Sequence, residues 1–119
     1  MEVIMNSILE MLNPNNKIMV DKTVANKIGI LEAIMYSELM EQFSRHRQHA
    51  NMDVNEFFMC PVEVLQKATT MDEVQQNEII INLKNLNLIE TSMQGIPYKR
   101  HFKMVWENDI LDELFSEVN

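Results

Sequence analysis

The sequence predicts a mainly α fold with a small β-hairpin. Three observations carry that expectation. The 119 residues include only 2 Gly and 3 Pro, too few for the many tight turns of a sandwich or barrel. Apolar residues, 46% of the chain, recur at three- and four-residue intervals over several segments, the period of a helix. One late segment instead holds two extended stretches joined by Gln94-Gly95-Ile96-Pro97, a turn signal. The length suits one domain with a sizeable core, and the apolar fraction excludes intrinsic disorder.

Each element follows from local pattern. Residues 1–12 place Met1, Ile4, Met5, Ile8, Leu9 and Leu12 at helical spacing. Asn13-Pro14-Asn15-Asn16 ends this helix, because proline cannot continue it and asparagine favours turns. A short extended piece, Lys17 to Val20, follows, and Asp21 or Thr23 caps a short helix that stops near Gly29. Residues 30–44 form the most apolar helix. Ala33, Met35, Tyr36, Leu39, Met40 and Phe43 share one broad face, with Leu31 and Ile34 elsewhere, so this helix belongs at the centre. Residues 44–49 read as its end, and the polar stretch to Glu56 as a loop.

Phe57-Phe58-Met59-Cys60 is a strand candidate. Pro61 suits the first position of the next helix, where its missing N–H costs nothing; Val62, Leu65 and Ala68 line one face of it. Thr69-Thr70-Met71 breaks that helix. Asp72 caps a longer one running to about Asn87, with Glu73 at the positive end of its dipole. Leu88 to Met93 and Tyr98 to Val105 read as paired strands. Residues 106–118 read as a last helix, with Trp106, Ile110, Leu114 and Val118 at i+4 spacing and Leu111 and Phe115 beside them. A helix, a short turn, a second helix and an immediate hairpin make a winged helix-turn-helix, the hairpin being the wing. The expectation is one domain over residues 1–119. Its core covers about 17–105, and the terminal helices 1–12 and 106–118 pack together or dimerise.

Four segments carry a family resemblance: residues 24–34, 57–64, 82–91 (Asn-Leu-Lys-Asn-Leu-Asn-Leu-Ile-Glu-Thr) and 95–104 (Gly-Ile-Pro-Tyr-Lys-Arg-His-Phe-Lys-Met). Together they resemble the winged-helix domain of replication-initiation and DNA-binding proteins of Gram-positive phages, plasmids and conjugative elements. The resemblance spans roughly residues 17–105. It implies that residues 72–87 are the helix that enters a major groove, and that Gln94 to Lys103 form a wing able to reach DNA. The chain departs from the pattern on the outer face of that helix. Relatives tend to place bases there, whereas this chain has Asn77, Glu78, Ile81 and Asn82.

The charges test that implication. The net charge is −8, which argues against a general nucleic-acid coat and against an anionic membrane surface. Residues 107–117 hold −5 of it, leaving −3 for the rest. Residues 72–87 total −2, so the recognition helix gains little from phosphates; the amides of Gln75 and Asn77 still suit base edges. The wing is different: Lys99, Arg100 and Lys103 put three positive charges in five residues, with His101 between them and Gln94 and Tyr98 adding hydrogen-bonding groups. Alternation sets Lys99, His101 and Lys103 on one face and Arg100 on the other, and a twisted edge hairpin would bring Lys99 and Arg100 together near its tip. The plainer reading is that these bases solubilise an exposed edge strand. Arg45-His46-Arg47-Gln48-His49 reads first as the basic C-terminus of a helix.

The expected function is thus DNA binding by an accessory protein of a mobile element, in replication, transfer or transcription control. The wing makes the main contact, double-stranded DNA is the partner and a replication or transfer protein a further one. A homodimer through Trp106, Ile110, Leu111, Leu114, Phe115 and Val118 would cover two half-sites. The alternative is a protein-binding module in which exposed Val74 and Ile81 with the acidic C-terminus form the interface. No enzymatic constellation, cofactor motif or metal set is expected. Cys60, the single cysteine, sits in an apolar strand and reads as buried rather than nucleophilic. The N-terminal residues lack a basic signal-peptide region, no apolar run spans a bilayer, and the cytoplasm is the expected location.

Overall fold

The computed structural model describes residues 1–12, 17–50, 52–53 and 55–116. Its elements run α1 (Glu2–Met11), α2 (Lys22–Ile28), α3 (Ile30–Gln48), β1 (Phe58–Met59), α4 (Val62–Thr69), α5 (Glu73–Asn85), β2 (Ile89–Gln94), β3 (Lys99–Met104) and α6 (Asp109–Ser116). The strands form one antiparallel sheet in the order β1-β3-β2. The fold is mainly α and winged-helix-like: α4 and α5 form the helix-turn-helix, and β2 and β3 form the hairpin behind it.

Capping residues set the helix limits. The Asp21 carboxylate accepts from the N–H groups of Thr23 (2.8 Å) and Val24 (3.1 Å), which opens α2. Gly29, at φ +105°, separates α2 from α3, in a backbone region that side chains other than glycine rarely enter. Asp72 accepts from the Gln75 N–H at 2.8 Å and opens α5. Ala33, Met35 and Leu39 of α3 lie at the centre with Leu65, Ile79, Ile80, Leu83, Leu88, Ile89, Phe58, Phe102 and Met104. Each large side chain among them contributes about 1.5–3 kcal/mol by leaving water. The Asn82 side-chain amide donates to Glu32 at 3.0 Å, fastening α5 to α3.

Helix α3 runs to Gln48, and Arg45, His46 and Arg47 form its last turn, the expected basic C-terminus, where positive charge suits the helix dipole and Arg45 pairs with Glu41 at 3.1 Å. The structure departs from the sequence expectations in four places. Residues 17–20 join no strand. Strand β3 is the central strand, not an edge, because β1 pairs Phe58 with Phe102 and Met59 with His101. Helix α6 starts at Asp109 rather than 106: the Asn108 side chain accepts from the Ile110 N–H at 2.7 Å and donates to the carbonyls of Leu86 and Asn87, both at 2.8 Å. One asparagine therefore opens α6 and closes the end of α5, and Trp106 falls outside the helix. Finally, α1 buries no residue; Val3, Ile4, Leu9 and Met11 are each at least 60% exposed. The expected break at 13–16 lies outside the described residues.

Candidate functional site

The hairpin register divides the wing bases between two faces. Gln94 pairs with Lys99, Met93 with Arg100, Ser92 with His101, Thr91 with Phe102 and Glu90 with Lys103. Side chains alternate along a strand. Arg100, with buried Phe102 and Met104, therefore faces the core and α5, while Lys99, His101 and Lys103 share the other face with Gln94, Ser92 and Glu90.

Arg100 is not a tip residue beside Lys99. Its guanidinium turns back onto the recognition helix, donating to Gln76 Oε1 at 2.6 Å and to Asn77 Oδ1 at 3.4 Å. It also lies 5.1 Å from the centre of the Phe102 ring, a cation–π contact. Its Nε is buried without a hydrogen-bond partner. Burial, first of all, lowers its pKa, yet an arginine stays charged at neutral pH.

Gln76 holds this arrangement together. It is fully buried, and its amide nitrogen donates to the Met71 carbonyl at 2.9 Å and the Val62 carbonyl at 3.1 Å. Both amide protons are thus used, and the remaining oxygen takes the Arg100 charge. One side chain ties the start of α4, the turn, α5 and the wing into a rigid unit.

Between α5 and the hairpin lies an open cleft of about 460 Å³, lined by Asn77, Ile80, Ile81, Lys84, Thr91, Ser92, Met93 and Arg100. Among its lining residues Ile81 is 56% and Met93 59% exposed; elsewhere on α5 and the hairpin Val74 is 76% and Tyr98 74% exposed. Gln75, Asn77 and Lys99 are exposed as well. Gly95, at φ +93°, turns the hairpin tip, where Ile96 is fully exposed.

On the opposite face, His101 is half-buried and its Nδ1 lies 2.9 Å from the Lys99 carbonyl. Gln94 donates to Ser92 Oγ at 3.3 Å, and Lys103 is half-buried opposite Glu90. Asp53 accepts from the N–H groups of Asn55 (2.8 Å) and Phe57 (2.9 Å). The Phe57 N–H does most to hold its carboxyl below the ordinary value, and the Gln94 side chain and His101 act in the same direction. Asp53 therefore lies close to the wing. His46 rests on the Phe58 ring, 5.3 Å between centroids. Burial lowers its pKa most, with His49 and His101 adding repulsion. The basic end of α3 and the outer wing face thus feel each other electrostatically, a proximity that sequence reading left unconnected.

The C-terminal apolar set is divided too. Leu111 belongs to the core, Ile110 packs against it, and Leu114 is half-buried. Trp106, 47% exposed, sets an edge against Phe43 at 5.2 Å. Lys27 of α2 and Glu113 of α6 form an ion pair. Val118 and the Phe115 side chain lie outside the described residues. Burial pushes the Cys60 thiol up to about 12, so it is protonated at neutral pH. No described group of histidines, cysteines and carboxylates is arranged to hold a metal ion. No described helix is long and apolar enough to cross a membrane.

No protein-family model matches the sequence, and no curated protein matches it significantly. Two solved structures share the fold. One is described as the N-terminal domain of a DNA-binding protein: 16% identity, TM-score 0.57, over 91% of this chain and 89% of that one. The other is described as the structure of a Rep–DNA complex: 16% identity, TM-score 0.60, over 91% of this chain and 92% of that one. At this identity the likeness is one of fold.

Proposed function

We propose that this protein binds duplex DNA, with α5 facing the major groove and the hairpin contacting the flanking backbone. It would act as an accessory protein of a mobile genetic element, in replication, transfer or transcription control. The observation that carries the reading is the fused α5–wing surface. Gln76 and Arg100 lock the hairpin against the helix, so one rigid unit presents Asn77, Ile81 and Lys84 on α5, with Lys99 exposed on the far face of the adjoining wing. A groove reader needs that preorganisation. The two structural neighbours, described by DNA binding and by a Rep–DNA complex, support the same reading, as does the resemblance of the wing sequence.

Lys99 and Lys103 are the proposed phosphate contacts. Arg100 serves by holding the wing in place. Fluorescence anisotropy against duplexes from the element's own origin and promoter, over a salt series, tests this. Binding is expected to weaken with salt. The double variant Lys99→Ala with Lys103→Ala should reduce the slope of log K against log salt by about 2. Binding with an unchanged slope removes these lysines from the interface, and absence of binding at low salt removes DNA from the reading.

A homodimer belongs to the same proposal. Helix α1 supports it, because its apolar residues are uncovered in the single chain and an amphipathic helix is stable chiefly when that face is covered.

A further inference from the structure

Resting on the DNA-binding reading, we infer that α5 recognises A·T base pairs, with Asn77 reading adenine and Val74 and Ile81 meeting thymine methyl groups. Val74, Asn77, Glu78 and Ile81 recur at three- and four-residue intervals along the exposed side of α5, so they form one stripe. That stripe is chemically selective. Guanine is read best by the paired donors of arginine or lysine, adenine by the donor–acceptor pair of an amide, and the thymine methyl by an apolar side chain. The stripe offers an amide and two branched aliphatics. Its nearest lysine, Lys84, lies in the last turn of the helix, away from the N-terminal residues that reach base edges in this docking mode. Glu78 supplies an acceptor suited to a cytosine or adenine amino group, and its charge repels phosphate.

The exposure of Val74 and Ile81, 76% and 56%, is costly in water, and a thymine methyl removes that cost without charge. Arg100 strengthens the adenine assignment. It donates to Asn77 Oδ1 at 3.4 Å, a long contact that favours the amide oxygen turned inward. The amide nitrogen is left to donate to adenine N7, and the second lone pair of Oδ1 to accept from adenine N6. Arg100 is thus a positioning residue for Asn77.

Selection of sites by the full chain from a randomised duplex pool, followed by single-atom changes in the selected site, tests this. The selected sites should be rich in A·T pairs. Replacing a contacted thymine by deoxyuridine removes only the methyl, and replacing adenine by 7-deazaadenine removes only N7; each is expected to weaken binding about fivefold, within the range known for base contacts. The deoxyuridine penalty should vanish in Ile81→Ala. The 7-deazaadenine penalty should vanish in Asn77→Ala and shrink in Arg100→Met, while the salt slope of Ile81→Ala and Asn77→Ala stays unchanged. These side chains are exposed or half-exposed, and circular dichroism confirms that each variant folds. Salt-dependent binding to G·C-rich sites, or base-analogue penalties that persist in the variants, overturns the inference and leaves DNA binding standing. Failure to retain any duplex at low salt overturns the DNA reading and this inference with it. Protection of the α5 stripe by a protein partner alone does the same.

Discussion

Gln76 concentrates the local physics of the site in one side chain. A glutamine in the second turn of a helix looks like surface, and only its place on the apolar arc of residues 72–87 hints otherwise. Its partners, Val62, Met71 and Arg100, come from three places in the chain, and no local pattern could have joined them. Gln76→Leu fills the space but strands two carbonyls and a half-buried guanidinium, so urea unfolding should show a loss of about 3 kcal/mol, since each stranded buried group costs about 1–3. Arg100 illustrates the same limit: alternation placed it on the face opposite Lys99, but it was expected to reach DNA near the tip, and the helix it meets instead is a tertiary fact. His46 makes a further expectation. Burial against Phe58 lowers its pKa below 6.5, so the unfolded chain binds the proton more readily. Its contribution to stability is present above about 6.5 and is lost as pH falls toward the folded value. Thermal melts between neutral pH and pH 5 should therefore show a decline in Tm that is shallower in His46→Gln.

The elements were the most legible part of the sequence, for reasons that are local. Asp21, Gly29, Asp72 and the Gly95 turn act within a few residues of themselves, and the helices and hairpin they delimit match within a few residues. The misjudged boundaries have tertiary causes. Asn108 starts α6 because its amide also closes α5, which no i+4 count reveals, and β3 becomes central only because the two-residue β1 reaches across from 40 positions earlier. Asn108→Ala should cost about 1–2 kcal/mol through the lost cap alone, read as a lower denaturation midpoint with an unchanged m-value. The turn of the helix-turn-helix stores strain at Thr70, which ends α4 at φ +65°. A β-branched residue there costs about 1–3 kcal/mol, so Thr70→Gly should stabilise the protein by about 1 kcal/mol, after its own loss of backbone entropy on folding. An unchanged or lower Tm would show that the Thr70 side chain contributes more than its strain.

Over the whole molecule, charge and apolar surface are unevenly spread. The net −8 describes no single face: α6 is acidic, while Lys99, Lys103, Arg45 and Arg47 lie on the wing and the end of α3. The sequence located these charges; their grouping required the fold. Helix α1 is the clearest case where sequence and single-chain structure pull apart. Its helical spacing is real, yet among the described residues none of its side chains is buried. A stable protein interface needs about 800 Å² per partner, and α1 offers six large apolar side chains between 49% and 79% exposed. Sedimentation equilibrium at micromolar concentration should give a dimer, and Ile4→Glu with Ile8→Glu a monomer; a monomeric parent protein would end the dimer proposal. The central claim, that α5 and the wing act as one duplex-binding surface, is tested most directly by an amide chemical-shift titration with selected duplex DNA. Shifts should gather on residues 74–84 and 91–103 and grow together with one affinity. Shifts confined to α1 and α6, or none at low salt, would contradict it.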